Sequence, residues 1–182
     1  MYDYQRELTS QGITVEKHLT ANGAALDLAL EGAENVVYFT HNYTSMCPDK
    51  NDFLVGSAKL TKKHGVKNAV AVLPVEHDLA YTENATKSWV EVRSEAEQQA
   101  LHFNPNMSLL STSLVFADGP TGLIHYMAQC VASGSIPRGF LSENVSFNPV
   151  HSNDVAVAVN HAMNSSNKGQ WLVQGNKQVS LH

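Results

Sequence analysis

The sequence feature that most constrains the fold is a short apolar run that follows a glycine. Gly65 comes directly after Lys62, Lys63 and His64, the arrangement expected where a helix ends with a glycine cap. The run at 68–73, NAVAVL, is too short for a helix and rich in valine. A near-continuous apolar run of that length is typical of a strand covered on both faces at the centre of a parallel sheet.

Other segments alternate in the same way between helical and extended patterns. This alternation predicts one α/β domain with a doubly wound parallel sheet, in which 1–116 forms the central sheet and its helices and 117–182 a shortened C-terminal part. The predicted helices are 2–10, 24–30 (ended by Gly32), 52–64, 88–102 (capped by Ser88 with Glu91), 122–132 and 153–163; the predicted strands are 12–16, 35–40, 68–73, 108–116 and 170–174, with 145–150 extended.

Composition narrows the class of protein. The chain has 182 residues, 43% hydrophobic and 16% charged, which fits one globular domain with a sizeable core. The net charge of −5 and the lack of a basic block argue against nucleic-acid binding, and no apolar run is long enough to span a membrane. Cys47 and Cys130 stand alone, which favours free thiols in a reducing compartment. The N-terminus shows neither a secretory signal nor a transit peptide, although a presequence could have been removed.

Isolated polar residues suggest other sites only weakly. His151 and Asp154 are three residues apart and are neighbours on one helical turn, where helix capping is favoured over metal binding. The nine histidines form no HxH or HExxH pattern. Ser133-Gly134-Ser135 lies in a predicted turn and lacks the pattern of a nucleophile elbow.

The order of segments resembles one enzyme family along nearly the whole chain. Six segments follow one another with the order and spacing seen in the extended or atypical short-chain dehydrogenase/reductases. They are GITV, ALDLALEGAENVVYF, KKHGVKNAVAVLPV, SLLSTSLVFADGP, PVHSNDVAVAVNHAM and GQWLVQGNKQVS. In that family Asp154 would cap a helix. The resemblance implies a Rossmann-like fold and descent from NAD(P)-binding epimerases and reductases.

The sequence departs from that family where the cofactor binds. The family's Gly-rich turn, whose helix N-terminus holds the pyrophosphate, has no GxxGxxG counterpart here. We therefore expect an incomplete doubly wound sheet that lacks the first Gly-rich βαβ unit. His18 stands where the family has an Asp that contacts adenine, and Thr40, His41 and Asn42 are the remaining weak candidates for nucleotide contact. We expect no cofactor to be held by this chain alone, with NADPH possible if a partner supplies the phosphate loop.

The family's catalytic Tyr-x-x-x-Lys is also missing. When Glu97 is matched to the family's later Glu, Trp89 and Arg93 occupy the two positions, and neither side chain exchanges a proton near neutral pH. A register that places Glu91 and Glu95 there fails as well.

Two further positions also lack the residues that the family uses for catalysis. The family's catalytic Ser or Thr would fall near Leu73 and Pro74, and Tyr81 has Ala85 rather than a lysine four residues on. The sequence therefore predicts a degenerate, non-catalytic member of the family without a metal site.

The missing first unit has a physical consequence for the sheet. In the order 3-2-1-4-5-6, the strand at Val36, Val37, Tyr38 and Phe39 would lose its neighbour, and Ile13–Glu16 would be separated from the rest. An open apolar edge promotes aggregation, so we expect another polypeptide to complete the sheet beside this strand.

Among degenerate members of that family, the chain most resembles the short-chain-dehydrogenase-like accessory subunit of mitochondrial respiratory complex I. The shared features are KHGVKN, Gly134–Pro137, Pro149-Val150 and Asp154-Val155. This resemblance implies a non-catalytic subunit on the matrix side of the inner membrane, where NADPH serves structure, and possibly one half of a split subunit. Two alternatives remain open: an epimerase or reductase fragment active only with a partner chain, and a free nucleotide-sensing regulatory module.

Overall fold

The computed structural model describes residues 2–13, 23–39, 49–74, 86–117, 129–130, 132–134 and 146–180. The helices are α1 (Tyr2–Ser10), α2 (Gly23–Ala29), α3 (Asp49–Lys63), α4 (Thr86–Phe103) and α5 (Ser152–Asn164). The strands are β1 (Asn35–Phe39), β2 (Asn68–Pro74), β3 (Met107–Thr112), β4 (Val115–Phe116), β5 (Ser146–Phe147), β6 (Val150–His151), β7 (Gly169–Val173) and β8 (Val179–Ser180).

Four strands form one parallel sheet in the order β1-β2-β3-β7. Tyr38 lies opposite Ala71, Ala71 opposite Leu109, and Leu109 opposite Gln170, so the register continues without interruption across the sheet. Beside this sheet, β4 pairs in parallel with β6, and β5 pairs antiparallel with β8. The chain thus has the partial Rossmann-like α/β fold that its sequence predicted.

The hydrophobic core has two parts because the sheet is covered on both faces. On one face α3 packs on α4 and α2 packs on α3. The side chains buried there include Leu30, Leu54, Ala58, Ala71, Ala100 and Leu109. On the other face α5 packs on β2 and β3, where Val70, Val72, Leu110, Val150, Val155 and Ala162 are buried. The valine-rich β2 is buried on both faces, as its composition predicted.

The end of α3 confirms the predicted glycine cap. Gly65 has φ +65°, its N–H donates to the carbonyl of Lys62 (3.2 Å), and the N–H of Val66 donates to that of Thr61 (3.0 Å). These two bonds form a Schellman motif, with Val66 buried just beyond it. The turn delivers the chain directly into β2.

Two predicted boundaries differ from the structure. The strand predicted at 108–116 divides into β3 and β4, because Ser113 donates its N–H to Val173 of β7 whereas the carbonyl of Leu114 accepts from the N–H of Val150, the first residue of β6. The helix predicted from Ser88 begins at Thr86, so Ser88 is not its cap. Gly12 and Ile13 lie outside any strand, while 14–16, His18, Cys47, Tyr81, Ala85, Ser135 and most of 122–132 lie outside the described residues.

Candidate functional site at the carboxyl edge of the sheet

The carboxyl ends of the parallel strands meet along one edge of the sheet. Phe39, Pro74, Thr112 and Val173 are the last residues of the four strands. In open parallel sheets, ligands bind just outside this edge. The segments that follow these strands are therefore the place to look for a functional site.

Three consecutive hydroxyl residues stand where β3 reaches the edge. Ser111 and Ser113 are half-buried, whereas Thr112 is fully buried. The Thr112 hydroxyl has no hydrogen-bond partner among the described residues. The sequence interpretation passed over this Ser-Thr-Ser run, although polar residues directly after an apolar strand were a signal that could have found it.

An aromatic pair extends the same edge. Phe116 of β4 lies opposite His151 of β6, and their rings meet edge to face with centroids 5.1 Å apart. The Phe116 side chain is 36% exposed, so part of its ring is open to a ligand. The pair offers an apolar aromatic surface beside one imidazole.

The start of α5 fixes the position of His151. Its Nδ1 accepts a 3.2 Å hydrogen bond from the N–H of Asn153, which makes His151 the N-cap of α5. The capping role expected for this pair is confirmed, but His151 provides the cap, while Asp154 lies in the first turn of the helix. A carboxylate there favours the helix through the macrodipole.

Gly175 holds the segment that leads into β6. Its N–H donates to the carbonyl of Asn148 at 3.1 Å, and a Cβ at this position would collide with the carbonyl of Pro149. Only glycine permits this approach. Gly175, the second glycine of the GQWLVQG motif, therefore positions β6 and, with it, His151.

The structure places the sequence-predicted site residues only in part. Trp89 and Arg93 lie in the first half of α4, where the structure describes the backbone and not the side chains. Because a helix that connects parallel strands runs antiparallel to them, this half of α4 lies toward the carboxyl edge. Thr40, His41 and Asn42 lie outside the described residues, directly after Phe39. Their roles remain predictions.

Tyr38 of β1 is a buried phenol near the same edge. Burial raises the pKa of its hydroxyl well above the ordinary value, and the hydroxyl has no partner among the described residues. Its ring packs edge to face on Phe53 of α3, 6.2 Å away. A phenol in this state does not exchange protons near neutral pH, so Tyr38 is a core residue.

The described residues do not form a cradle for a dinucleotide pyrophosphate. Such a cradle needs a glycine turn between the end of a strand and the start of a helix. Gly12, Gly32, Gly65 and Gly134 have positive φ, but each follows helical residues, and Gly169 opens β7. These turns therefore do not lie between a strand end and a helix start, and the part of the chain described here does not fit the phosphates of NAD(P).

The described residues lack two further features. They contain no group of three or more His, Cys, Asp or Glu side chains arranged to hold a metal ion. None of the helices among them has the length and apolar character needed to cross a membrane.

Comparison with known proteins finds similarity in structure and not in sequence. No protein-family model and no curated protein sequence matches the chain. A dTDP-4-dehydrorhamnose reductase from Clostridium acetobutylicum matches 98% of this chain and 71% of its own, with a TM-score of 0.67 and 15% identity. The Bacillus anthracis dTDP-4-dehydrorhamnose reductase in complex with NADP matches 98% and 72%, with a TM-score of 0.64 and 11% identity. The UDP-N-acetylglucosamine 4-epimerase from Bacillus cereus matches 96% and 73%, with a TM-score of 0.62 and 11% identity.

These similarities show the fold, and they correct one prediction. The chain was expected to be non-catalytic, whereas the three solved structures named above are two reductases and an epimerase. The expectation was wrong because it relied mainly on a few aligned side-chain positions, whereas the fold is one that enzymes use to place ligands at a sheet edge. The comparisons give no support for a mitochondrial location or for membership of complex I.

Proposed function

We propose that this chain is part of an NAD(P)-dependent reductase or epimerase that acts on nucleoside-diphosphate sugars. In this proposal the phosphate-binding turn comes from polypeptide outside the described residues. The observation that carries the proposal is the similarity of almost the entire chain to two dTDP-sugar reductases and one UDP-sugar epimerase. The residues at the carboxyl edge define what the chain itself would contribute.

The exposed part of the Phe116 ring is the proposed contact for a planar or apolar part of the ligand. His151 supports the ring edge to face, and α5 fixes His151 through its cap. Offset and edge-to-face aromatic contacts contribute about 0.5–1.5 kcal/mol beyond area burial. Bound NAD(P) would supply hydride chemistry, and the described residues would contribute binding and orientation at this edge.

The matched pair Phe116 and Phe103 tests the position of the site. Both phenylalanines are partly exposed (36% and 39%), and each has a histidine edge to face (His151 at 5.1 Å and His102 at 5.8 Å). Phe103 ends α4 and precedes β3, so it lies toward the opposite edge of the sheet. Besides the edge that they occupy, they differ in that Lys59 Nζ lies 4.4 Å from the centroid of the Phe103 ring.

The experiment uses the native assembly, isolated through a tag on this chain. Dinucleotide-dependent conversion of dTDP-4-dehydrorhamnose and of UDP-N-acetylglucosamine is measured for the wild type, Phe116→Ala and Phe103→Ala. We expect Phe116→Ala to lower kcat/KM about tenfold, equivalent to about 1.4 kcal/mol, and Phe103→Ala to leave it unchanged. An assembly that binds neither NAD nor NADP, or that turns over neither sugar nucleotide, would contradict the proposal.

The positions Trp89 and Arg93 need a separate test, because neither residue is suited to donate the proton. We propose that the proton donor lies elsewhere. Turnover that persists in Trp89→Ala and Arg93→Ala would support this, and complete loss of turnover with retained dinucleotide affinity would contradict it. Dinucleotide binding by the wild type without any turnover would favour the regulatory module.

A further inference from the structure

The side chain of His151 stands where three elements meet. His151 is the last residue of β6, it lies opposite Phe116 of β4, and it is the N-cap of α5. Its backbone has φ −73° and ψ 144°, the extended conformation that a cap residue adopts before its helix begins. A change at this one side chain therefore reaches both the helix and the aromatic pair.

The cap fixes the tautomer of the imidazole. Nδ1 of His151 accepts the 3.2 Å hydrogen bond from the N–H of Asn153. A ring nitrogen accepts a hydrogen bond when it carries no proton, so the neutral ring must carry its proton on Nε2. In the charged ring both nitrogens are donors. Protonation of Nδ1 and the cap bond to Asn153 therefore exclude each other.

The charge of a protonated His151 would lie at the positive end of α5. A cation is unfavourable at a helix N-terminus, where the macrodipole is positive. The carboxylate of Asp154 in the first turn opposes this effect, but Asp154 is exposed, so solvent screens its attraction. We therefore expect the lost cap and the helix dipole, which act in the same direction, to outweigh Asp154.

Few other charges face this end of the helix. The helix α5 packs mainly on β2, β3, β4 and β6, and the first three have no charged or titratable side chain. The second histidine of α5, His161, packs on Trp171 and lies about 15 Å further along the axis. Within the described residues of these elements, Asp154 is the one other titratable group at the start of α5.

We propose that His151 makes the carboxyl edge of this chain sensitive to pH. The neutral ring caps α5 and packs on Phe116, whereas protonation at Nδ1 breaks the cap, frays the first turn of α5 and releases the ring from Phe116. Histidine is the side chain that changes its charge between about pH 5 and pH 8. The consequence for a ligand rests on the proposed function: the Phe116 surface binds it tightly while His151 is neutral and weakly once His151 is charged.

Nuclear magnetic resonance of the isotope-labelled 182-residue chain tests the first step. At about pH 8, the ring nitrogens of His151 should show the tautomer with the proton on Nε2. Nuclear Overhauser effects should link the rings of His151 and Phe116 at this pH and should be lost at about pH 5. A neutral ring with its proton on Nδ1, or ring contacts that persist in the charged state, would overturn the inference.

Amide hydrogen exchange at Asn153 tests the second step. In the wild type, the protection of this amide, corrected for its intrinsic rate, should fall at least fivefold between about pH 8 and pH 5. The main variant is His151→Asn, because asparagine is a good N-cap and does not titrate. The Asn153 amide should keep its protection at both pH values in this variant. Unchanged protection in the wild type, or an equal fall in His151→Asn, would overturn the inference.

Two control variants address the other titratable groups of α5. His161→Asn removes a histidine that also meets an aromatic ring edge to face (Trp171, 5.7 Å), and Asp154→Asn removes the carboxylate of the first turn. Both variants should retain the fivefold fall at Asn153. Its loss in either would assign the pH dependence to another group and overturn the inference. If His151→Asn fails to fold, the wild type decides, since the fall at Asn153 must share its midpoint with the charge change of His151.

The native assembly tests the consequence for a ligand. The ratio of its affinities for dTDP-4-dehydrorhamnose at about pH 8 and pH 5 should be at least fivefold larger in the wild type than in His151→Asn. Equal ratios would overturn the link between His151 and ligand binding. An assembly that binds no sugar nucleotide at either pH would refute the proposed function alone, because the resonance and exchange measurements need no ligand.

Discussion

The side-chain amide of Asn104 donates a 2.9 Å hydrogen bond to the hydroxyl of Thr61, which joins the end of α4 to α3. Both residues are almost completely buried. The Thr61 hydroxyl lies 2.8 Å from the carbonyl of Ser57, to which it donates, and Asn104 Oδ1 accepts from the N–H of Asn106. This network fixes the two helices that cover one face of the sheet before the chain enters β3.

Loss of the Asn104 side chain should destabilise the domain. Asn104→Ala removes one buried and one partly buried hydrogen bond, and we expect it to lower the free energy of unfolding by about 2 kcal/mol. Gln98→Ala is the control, since Gln98 lies exposed on the same helix with a long 3.4 Å contact to Ser94. Urea denaturation of the two variants measures the difference. A loss below about 0.5 kcal/mol for Asn104→Ala would show that the network contributes little.

Gly56 within α3 and Gly65 just beyond its end should respond to alanine with opposite signs. Gly65→Ala places a Cβ at φ +65°, and we expect a cost of about 1–2 kcal/mol. Gly56→Ala lies within the helix, with nothing within 4 Å of the added Cβ, and should stabilise by about 0.5–1 kcal/mol. No atom lies within 4 Å of a Cβ at Gly65 either, so backbone conformation alone accounts for the contrast. Thermal unfolding of both variants checks it, and equal signs would refute the explanation.

Removal of the Tyr38 hydroxyl should not harm the fold. The hydroxyl is buried without a partner among the described residues, so Tyr38→Phe should leave stability unchanged or raise it by about 1 kcal/mol. Tyr38→Ala, which also removes the ring packed on Phe53, should cost about 3 kcal/mol or more. Denaturant unfolding separates the two outcomes. A clear loss of stability in Tyr38→Phe would indicate that the hydroxyl has a hydrogen-bond partner.

The raised pKa of Tyr38 also predicts that the folded chain loses stability at alkaline pH. Its pKa is raised in the folded chain, so its contribution is fully present below the unfolded pKa of about 10 and is lost as pH rises through the folded value. The wild type should therefore lose stability above about pH 10 more steeply than Tyr38→Phe. Unfolding measured between pH 8 and about 11 tests the sign.

The lowered pKa of Asp27 predicts that the folded chain loses stability at acidic pH. The hydrogen bond from Lys63 (2.8 Å), followed by that from His64 (2.7 Å), lowers the pKa of this carboxyl. Its contribution is therefore present above the unfolded pKa of about 3.9 and is lost as pH falls through the lower folded value. Asp27→Asn should lower the Tm at neutral pH, and the difference from the wild type should vanish below about pH 3.

The ion pair of Glu34 and Lys67 serves as the control for Asp27. Lys67 lowers the pKa of Glu34 in the same direction, but both side chains are 67% exposed, whereas His64 beside Asp27 is 16% exposed. Exposed pairs contribute little because solvent screens them. Glu34→Gln should therefore change the Tm less than Asp27→Asn at every pH. The reverse order would contradict the role assigned to His64.

Local sequence patterns were sufficient for most of the elements. The valine-rich run of β2 and the cap at Gly65 were predicted because strand burial and a positive φ leave direct marks on residue choice. The predicted strand 108–116 was wrong in part, because Ser113 and Leu114 bond to Val173 and Val150, which lie far away in the sequence. Secondary-structure propensity depends on the local sequence, so it carries no information about these distant hydrogen-bond partners.

The candidate site shows the same division. Sequence reasoning singled out Trp89 and Arg93, and it judged the chain non-catalytic from such side-chain positions. Phe116 and His151 were brought together only by the pairing of β4 with β6, two strands of two residues each. Strands of two residues show no hydrophobic periodicity, so no sequence pattern predicts their pairing.

By itself the sequence determined the class of fold, the parallel sheet and where its helices end, because burial on two faces and backbone dihedrals act residue by residue. The tertiary structure alone decided which aromatic rings meet beside α5 and that Gly175 must lack a Cβ. Each of these depends on contacts between distant segments, whose geometry exists only once the chain is packed.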